Sequence, residues 1–230
     1  MTLGARPLVV GVISLPRTLE HPLDLKQLPF DVAELRIDLV GVDCPDWLEF
    51  ASRMVAAGTP VILTVRHPNE GGHWYLDEQE RAAVYRTALP FVSAIDVEIG
   101  SEIIKPLADE ARRAGKLVIG SFHDFEETPD EAFLRAKILD GRSKGADVVK
   151  LATMIQADAD LVALRALLAD ASSGPLCLLG MGDRGAESRV SLAVAGSCLA
   201  YGYYDQANAP GQLSAGELRD RLRKASALRK

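Results

Sequence analysis

The sequence has no excess of basic residues and no long apolar run. Lysine and arginine number 26 against 32 aspartates and glutamates, so the formal net charge is -6 and the isoelectric point is near 5.3. Such a chain lacks the basic face that a sequence-independent nucleic-acid binder uses to neutralise phosphates, and we predict no nucleic-acid partner. Its apolar runs fall short of the ~18 residues of a membrane span, so we predict no membrane segment either.

Cysteine is also scarce. Cys44, Cys177 and Cys198 are widely spaced and include no CxxC pair, so neither a disulfide framework nor a zinc knuckle is indicated. We interpret all three as reduced thiols. The apolar run after Arg6 resembles the core of a signal peptide, but it is short, ends at Pro16 and precedes no small-residue cleavage site. We therefore expect a first β-strand there and a cytoplasmic location.

What the chain does contain is a repeated alternation of strand and helix patterns. Helix-length segments with amphipathic spacing separate most of the short β-branched runs. Eight such runs predict strands, at Leu8–Leu15, Val32–Leu39, Thr59–Arg66, Ser93–Val97, Lys116–Ser121, Asp147–Leu151, Pro175–Leu179 and Ser197–Tyr201. Because the runs are almost continuously apolar, they indicate a parallel sheet buried on both faces by helices.

Eight strand and helix units favour a closed (β/α)₈ barrel, an α/β fold of the TIM-barrel type. We predict a single domain over residues 1–230, because no composition shift or linker divides the chain. A doubly wound open sheet is the alternative, but the first strand lacks the G-x-G-x-x-G turn of dinucleotide-binding folds. Thr128 is the expected N-cap of one helix, another helix is expected to begin near Ser188, and Gly58 and Gly115 are expected to end helices.

Lys150 is the most informative residue at the ends of the predicted strands, where a barrel of this type builds its active site. It is embedded in the apolar run Val148–Ala152. Burying an ammonium is costly. Such a lysine either loses its proton near cationic groups and becomes a nucleophile, or pairs with a carboxylate. The residues themselves leave both possibilities open.

His123 follows the strand that precedes the strand of Lys150. An imidazole there could act as a general base on a substrate bound to the lysine, with either Asp124 or Glu70 orienting it. The histidines at positions 67 and 73 lack the spacing of metal ligands, so we predict no metal.

Arginines near the strand ends indicate an anionic or polyhydroxylated ligand, because the guanidinium fork binds carboxylates with two hydrogen bonds. These are Arg36, Arg66 and Arg189. Each could instead form an ion pair with one of the nearby acids, Glu34, Asp38, Asp96 or Glu98. The segment Gly180–Gly185 is an alternative anion site, as a phosphate cradle before a helix.

Six groups of residues follow one another in order along nearly the whole chain. They are Glu34–Asp38; Thr64–Arg66 with Glu70–Gly72; Ser121–Phe125 with Thr128–Pro129; Val149–Ala152; Gly180–Gly182 with Ser188–Arg189; and Ala209–Gln212. Together they resemble the type I 3-dehydroquinate dehydratases. The resemblance implies a (β/α)₈ enzyme, usually a homodimer, that converts 3-dehydroquinate to 3-dehydroshikimate in the shikimate pathway without a metal or an organic cofactor.

The resemblance also implies a role for each site residue. Lys150 would form a Schiff base with the C3 ketone of the substrate. His123, held by Glu70, would remove the C2 proton and return a proton to the departing C1 hydroxyl. Arg189 would bind the substrate carboxylate, and the segment Tyr203–Gln212 would be a lid. The ring hydroxyls would be contacted by Glu34, Arg36, Arg66 and Gln212.

One position departs from the family pattern. Asn208 stands in the lid segment where we expect a serine, and we count it among the substrate-binding residues because its amide can still bind a hydroxyl. Since the chain stops at Lys230, we expect no fused shikimate dehydrogenase domain. Two other functions stay open: a class I Schiff-base aldolase acting on a phosphorylated or carboxylated sugar, and a non-catalytic binder of a cyclic polyhydroxy acid.

Overall fold

A computed structural model of the protein describes residues 6–20, 23–209 and 211–227. Some predicted features lie partly outside the described residues. The predicted domain over 1–230 includes residues 1–5 and 228–230, and the Ala209–Gln212 motif includes Pro210.

All eight predicted strands are present. Their ladders are parallel in the order β7-β6-β5-β4-β3-β2-β1-β8. The first and last members also meet, because the Cys198 N–H donates to the Leu176 carbonyl at 2.8 Å, and the sheet is thus a nearly closed barrel. The strands are β1 (Leu8–Ile13), β2 (Val32–Arg36), β3 (Val61–Thr64), β4 (Ala94–Glu98), β5 (Leu117–Asp124), β6 (Val148–Met154), β7 (Leu176–Met181) and β8 (Leu199–Tyr203).

The described residues form nine α-helices, and none of them is both long enough and apolar enough to cross a membrane. The predicted amphipathic spacing is confirmed in one of them, where Trp47, Phe50, Ala51 and Met54 are buried. In a second helix the predicted apolar positions are Leu161, Leu164, Leu167 and Leu168, of which Leu164 and Leu167 are buried and the other two are partly buried. The helices are α1 (Pro16–Glu20), α2 (Ile37–Val40), α3 (Trp47–Ala56), α4 (Glu78–Ala88), α5 (Ile104–Arg113), α6 (Glu131–Ser143), α7 (Asp158–Ala169), α8 (Gly185–Ala195) and α9 (Ala215–Ala227).

The predicted N-cap of α6 is wrong. The carboxylate of Asp130 caps this helix by accepting the Phe133 N–H at 2.8 Å. Thr128 instead donates its hydroxyl to the Met154 carbonyl at 2.7 Å, because it lies beside the end of β6. Helix α8 likewise begins before the predicted Ser188. The two glycines predicted to end helices do so, with φ of +88° at Gly58 and +68° at Gly115.

Several strand ends also differ from the prediction. Strand β2 stops at Arg36, because α2 follows it directly where the strand was expected to continue. Strands β5, β6 and β7 run further than expected, to Asp124, Met154 and Met181. The extension of β5 places His123 within the strand, where its backbone pairs with that of Ala152 in β6.

The barrel interior is filled by apolar side chains from all eight strands. These include Val10, Val32, Ile62, Val148 and Leu199, each fully buried. Such side chains contribute roughly 1.5–3 kcal/mol each to the free energy of unfolding. Because the interior is packed, an open site can form only at an end of the barrel, and the polar side chains lie at the carboxyl ends of the strands.

Candidate active site

One cavity at the carboxyl ends of the strands brings together every predicted site residue. It contains about 550 Å³ of space that is not occupied by protein atoms. The nine predicted residues in its lining are Glu34, Arg36, Arg66, Glu70, His123, Lys150, Arg189, Asn208 and Gln212. Eight of the nine come from strands or from loops near their carboxyl ends, as the barrel fold requires, and Arg189 comes from α8.

Lys150 lies in β6 in register with Ser121 of β5 and Cys177 of β7. Only 4% of the residue is exposed. Its Nζ donates a hydrogen bond to Asp96 Oδ2 at 2.9 Å and lies 3.8 Å from Glu34 Oε1. The structure therefore shows Lys150 paired with a carboxylate, and the ammonium must release a proton from this pair before Nζ can act as a nucleophile.

Asp96 was left out of the predicted site residues and was offered as an ion-pair partner of an arginine, but it also contacts Lys150. Its Oδ1 accepts hydrogen bonds from Arg66 Nη2 at 2.7 Å and from the Ser121 hydroxyl at 2.6 Å. Burial alone would raise the pKa of Asp96, but the charges of Arg66 and Lys150 outweigh it and hold the pKa well below its usual range. The carboxylate is therefore a permanent negative charge beside the lysine.

His123 and Glu70 form a second pair in the cavity. Glu70 Oε2 lies 2.8 Å from His123 Nδ1 and also accepts the His123 backbone N–H at 3.0 Å. Glu70 ends a 3₁₀ turn, and Gly71 after it adopts a left-handed φ of +76°. Asp124, the other orienting residue considered, points away and accepts the backbone N–H groups of Glu126 and Glu127 instead.

The surroundings of this pair set its charge. Burial, together with the positive charges of Arg66 and Lys150, lowers the pKa of His123 well below its ordinary value, so the imidazole is neutral near pH 7. Burial raises the pKa of Glu70 to about 8, against the attraction of Arg66. In the tautomer in which Nδ1 carries the hydrogen and donates it to Glu70 Oε2, Nε2 is the ring nitrogen that can accept a proton.

The three predicted arginines have different partners. Arg36 forms a two-bond ion pair with Asp38, at 2.8 and 2.7 Å. Arg66 pairs with Asp96 and Glu98, each at 2.7 Å. These pairs are among those that the sequence offered as alternatives to ligand binding.

Arg189 has no carboxylate partner among the described residues. It is only 3% exposed, and Nη1 donates to the Tyr201 carbonyl at 3.2 Å, while Nε has no hydrogen-bond partner in the described part of the chain. Burial lowers the pKa of Arg189 to about 10. A buried, uncompensated guanidinium that lines a cavity favours an anionic ligand.

Three described residues of the segment predicted to be a lid line the cavity, namely Asn208, Ala209 and Gln212. The Asn208 backbone N–H donates to Gln212 Oε1 at 2.8 Å, and Asn208 Nδ2 is buried with no partner among the residues the structure describes. Gly211 has a φ of +68°, and a Cβ there would lie 2.1 Å from the Gly182 carbonyl oxygen. Only glycine permits this close approach of the two loops.

The profile of the family described as type I 3-dehydroquinase matches residues 11–229 of the sequence. The chain belongs to the type I 3-dehydroquinase family. Sequence identity to individual 3-dehydroquinate dehydratases agrees with this assignment. It is 34% identical to the 3-dehydroquinate dehydratase of Methanocella arvoryzae over 84% of this chain and 86% of that protein, and 32% identical to the catabolic 3-dehydroquinate dehydratase of Acinetobacter baylyi over 84% and 75%.

Solved structures of type I 3-dehydroquinase relatives have the same fold. The 3-dehydroquinate dehydratase from Aquifex aeolicus superposes with a TM-score of 0.81 at 27% identity, covering 94% of this chain and 98% of that one. The enzyme from Geobacillus kaustophilus superposes with a TM-score of 0.87 over 99% and 94%. At 24% identity the second comparison shows the fold alone.

The cavity of this member of the type I 3-dehydroquinase family is also lined by residues that were not predicted as site residues, among them Leu179, Met181 and Tyr201. The Tyr201 ring centroid lies 4.3 Å from Lys150 Nζ, and its hydroxyl is buried without a partner among the described residues. Leu179 and Met181 add apolar surface. Their positions at the ends of β7 and β8 could have indicated them, but an aromatic or aliphatic side chain there is indistinguishable from core.

No group of three or more His, Cys, Asp or Glu side chains is arranged to hold a metal ion in the described ranges. The segment Gly180–Gly185, considered as an alternative phosphate site, makes contacts within the protein. In that segment, the Gly185 N–H donates to the Gly182 carbonyl at 2.8 Å. A Cβ at Gly180 would lie 2.1 Å from the Ser188 hydroxyl, so this glycine serves close packing against α8.

Proposed function

We propose that the chain dehydrates 3-dehydroquinate to 3-dehydroshikimate, a step of the shikimate pathway, through a Schiff base on Lys150. The observation that carries the proposal is one cavity lined by a buried lysine, a neutral imidazole held by a carboxyl group, and a guanidinium with no carboxylate partner in the described part of the chain. A covalent amine catalyst, a base and a carboxylate-binding group are what this elimination requires. Membership of the family supports the same reaction.

The first half of the reaction takes place at Lys150. The Lys150 ammonium, which pairs with Asp96, releases one proton to solvent, and the neutral Nζ attacks the C3 carbonyl carbon. The carbinolamine hydroxyl then takes up a proton from solvent and leaves as water, which gives a protonated imine. His123 Nε2 then removes a proton from C2, and the C–H electron pair forms a C2–C3 double bond while the imine nitrogen becomes neutral. The cationic imine makes this proton transfer possible because it accepts the electron pair.

The second half returns the proton. The imidazolium of His123 protonates the C1 hydroxyl, the C1–O bond breaks, and the enamine electrons form the C1–C2 double bond and restore the cationic imine. Addition of water to that imine releases the enone and the lysine. Because Lys150 supplies the electron sink, the proposed reaction uses no metal or organic cofactor.

The remaining cavity residues hold the substrate. Arg189 binds the ring carboxylate, because it is the cavity guanidinium without a carboxylate partner among the described residues. Glu34 accepts the Thr64 hydroxyl at 2.8 Å and contacts ring hydroxyls with its remaining acceptor positions. The other contacts to ring hydroxyls come from Arg36, Arg66, Asn208 and Gln212, and the segment Tyr203–Gln212 closes over the bound ring.

The test is an ultraviolet assay for the conjugated enone formed from 3-dehydroquinate. We expect turnover by the wild type, none by Lys150→Met, and near-normal turnover by Lys137→Met, a control whose ammonium lies over the Phe122 ring outside the cavity. Absence of enone with the wild type would contradict the proposal. If sodium borohydride trapped an adduct without enone, the aldolase alternative would replace it; binding with neither signal would indicate the non-catalytic binder.

We also propose a single catalytic domain over the whole chain, which acts as a homodimer in the cytoplasm. The dimer is supported by the family resemblance, and the location by the interpretation of the three cysteines as reduced thiols. Light scattering coupled to size-exclusion chromatography tests the dimer through its mass, and thiol titration of freshly isolated protein tests the cysteines. A monomer mass, or fewer than three titratable thiols after unfolding, would contradict the corresponding part.

A further inference from the structure

Arg81 is a buried charge that the proposed reaction does not use. It lies in α4 and is 0% exposed. Its Nη1 donates to Glu98 Oε2 at 2.6 Å and to the Val65 carbonyl at 2.9 Å, and its Nη2 donates to Glu78 at 2.9 Å and to the Ser101 hydroxyl at 3.0 Å. Burying a guanidinium is costly even when it is paired, and a well-packed apolar side chain often serves stability as well. The arrangement therefore suggests a role beyond stability.

Glu98 connects Arg81 to the lysine side of the cavity. Glu98 Oε1 accepts a hydrogen bond from Arg66 Nη1 at 2.7 Å. Arg66 reaches Asp96 Oδ1 at 2.7 Å, and Asp96 Oδ2 accepts from Lys150 Nζ at 2.9 Å. The alternating charges form one continuous buried chain, whose last member is the amine that forms the imine.

Glu98 also connects Arg81 to the histidine side. The same Oε1 accepts the backbone N–H of His67 at 3.0 Å. The His67 carbonyl in turn accepts the Glu70 N–H at 3.0 Å, which fixes the turn that presents Glu70 to His123. The Glu98 carboxylate therefore binds both Arg66, which leads to Lys150, and the His67 turn, which positions Glu70 beside His123.

We propose that Arg81 is a positioning residue for the dehydration, holding Glu98 in the orientation that aligns Lys150 with His123. The inference rests on the proposed function. Without Arg81, Glu98 Oε2 loses its ionic partner and the carboxylate is free to turn, which releases Arg66 and the His67 turn together. A displacement of about 1 Å at reacting groups costs roughly 100-fold in rate.

The experiment compares Arg81→Met and Arg81→Lys with Arg86→Met. Arg86 is the matched control, because it lies on the same helix but is 44% exposed and pairs with Glu110 at 2.9 Å on the surface. For each variant, the fraction of sites trapped by borohydride with substrate gives the number of competent lysines. The kcat per trapped site, KM and the melting temperature are then measured separately.

We expect Arg81→Met to lower kcat per trapped site by about 10- to 100-fold and to raise KM by a smaller factor. The rise in KM is expected because Arg66, which contacts the ring hydroxyls, is released, and it is expected to be smaller because Arg189 is not part of the chain of contacts. Arg81→Lys, which keeps the charge but not the fork, is expected to recover part of this loss. Arg86→Met should stay within about twofold of the wild type. If Arg81→Met does not fold, Arg81→Lys decides, with an expected loss of about 5- to 10-fold.

A kcat per trapped site within about twofold of the wild type in the folded Arg81 variants, whatever their melting temperatures, would overturn this inference and leave Arg81 a stabilising residue. That outcome differs from failure of the proposed function, in which the wild type itself would form no enone. Arg86→Met with the same loss as Arg81→Met would also overturn the inference, because the effect would then belong to the helix as a whole.

Discussion

Glu70 Oε2 contacts two nitrogen atoms of His123, the ring Nδ1 at 2.8 Å and the backbone N–H at 3.0 Å. A carboxyl group that contacts both the backbone N–H and the ring fixes the orientation of the imidazole as well as its position. The ring nitrogen left over, Nε2, is the one that the proposed mechanism uses as a base. This relationship leads to two predictions.

Replacement of Glu70 by alanine should slow proton transfer and leave covalent chemistry at Lys150 intact. We expect Glu70→Ala to lower kcat by about 10- to 100-fold, because the imidazole can then rotate and exchange tautomers. Borohydride trapping with substrate should still label the variant to the same extent as the wild type. Loss of the adduct together with turnover would instead show that Glu70 acts on imine formation.

The charge of Glu70 should make stability depend on pH. The pKa of Glu70 is raised by burial from its ordinary 4.5 to about 8. Between those values the folded protein keeps a proton that the unfolded chain has released, so the stability contributed by this group falls as pH rises. We expect the melting temperature of Glu70→Gln, measured relative to the wild type, to increase from about pH 6 to about pH 8. A constant difference over that range would refute the shifted pKa.

Arg189 should be required for affinity and unfavourable for stability. We expect Arg189→Met to raise KM by about 100-fold or more, because the substrate carboxylate loses a buried charged donor. The same change should raise the melting temperature, since it removes a buried guanidinium without a carboxylate partner among the described residues. Arg184→Met is the control, because Arg184 is exposed and pairs with Asp158 at 2.6 Å. Equal KM values for the two variants would place the carboxylate elsewhere.

The presence of Asn208 in place of the expected serine should have little effect on kcat or KM. The contact that Asn208 makes with Gln212 comes from its backbone N–H, so a serine keeps it, while the unpartnered side-chain amide disappears. We therefore expect Asn208→Ser to leave kcat unchanged and to leave KM equal or slightly lower. Steady-state kinetics of this one variant provide the check, and a KM raised several-fold would mean that a serine hydroxyl cannot replace the contact of the Asn208 amide with the substrate.

The sequence could predict which residues meet in the cavity, and the reason is physical. In a barrel of parallel strands all carboxyl ends share one face, so residues as distant as Glu34 and Gln212 must meet once the strands are located. The eight apolar runs located them, although their ends were misplaced. Strand β5 runs on to Asp124 because its backbone continues to pair with β6, and no local residue pattern marks that extension.

The partners within the site could not be predicted. Several acids lie near Lys150 in the fold, and sequence spacing does not show that Asp96 reaches its Nζ at 2.9 Å while Glu34 stays at 3.8 Å. Arg81 was missed for a different reason. It lies on the outer helix α4, where a charged residue ordinarily faces solvent, and only the three-dimensional packing shows that it points inward.

The central claim is that Lys150 forms the covalent intermediate and His123 moves the protons. The most direct measurement is intact mass and peptide mapping after incubation with 3-dehydroquinate and sodium borohydride, for the wild type, Lys150→Met and His123→Ala. The account predicts a reduced adduct mapped to Lys150 in the wild type, none in Lys150→Met, and an adduct with almost no enone formation in His123→Ala. An adduct on another lysine, or normal turnover by His123→Ala, would contradict it.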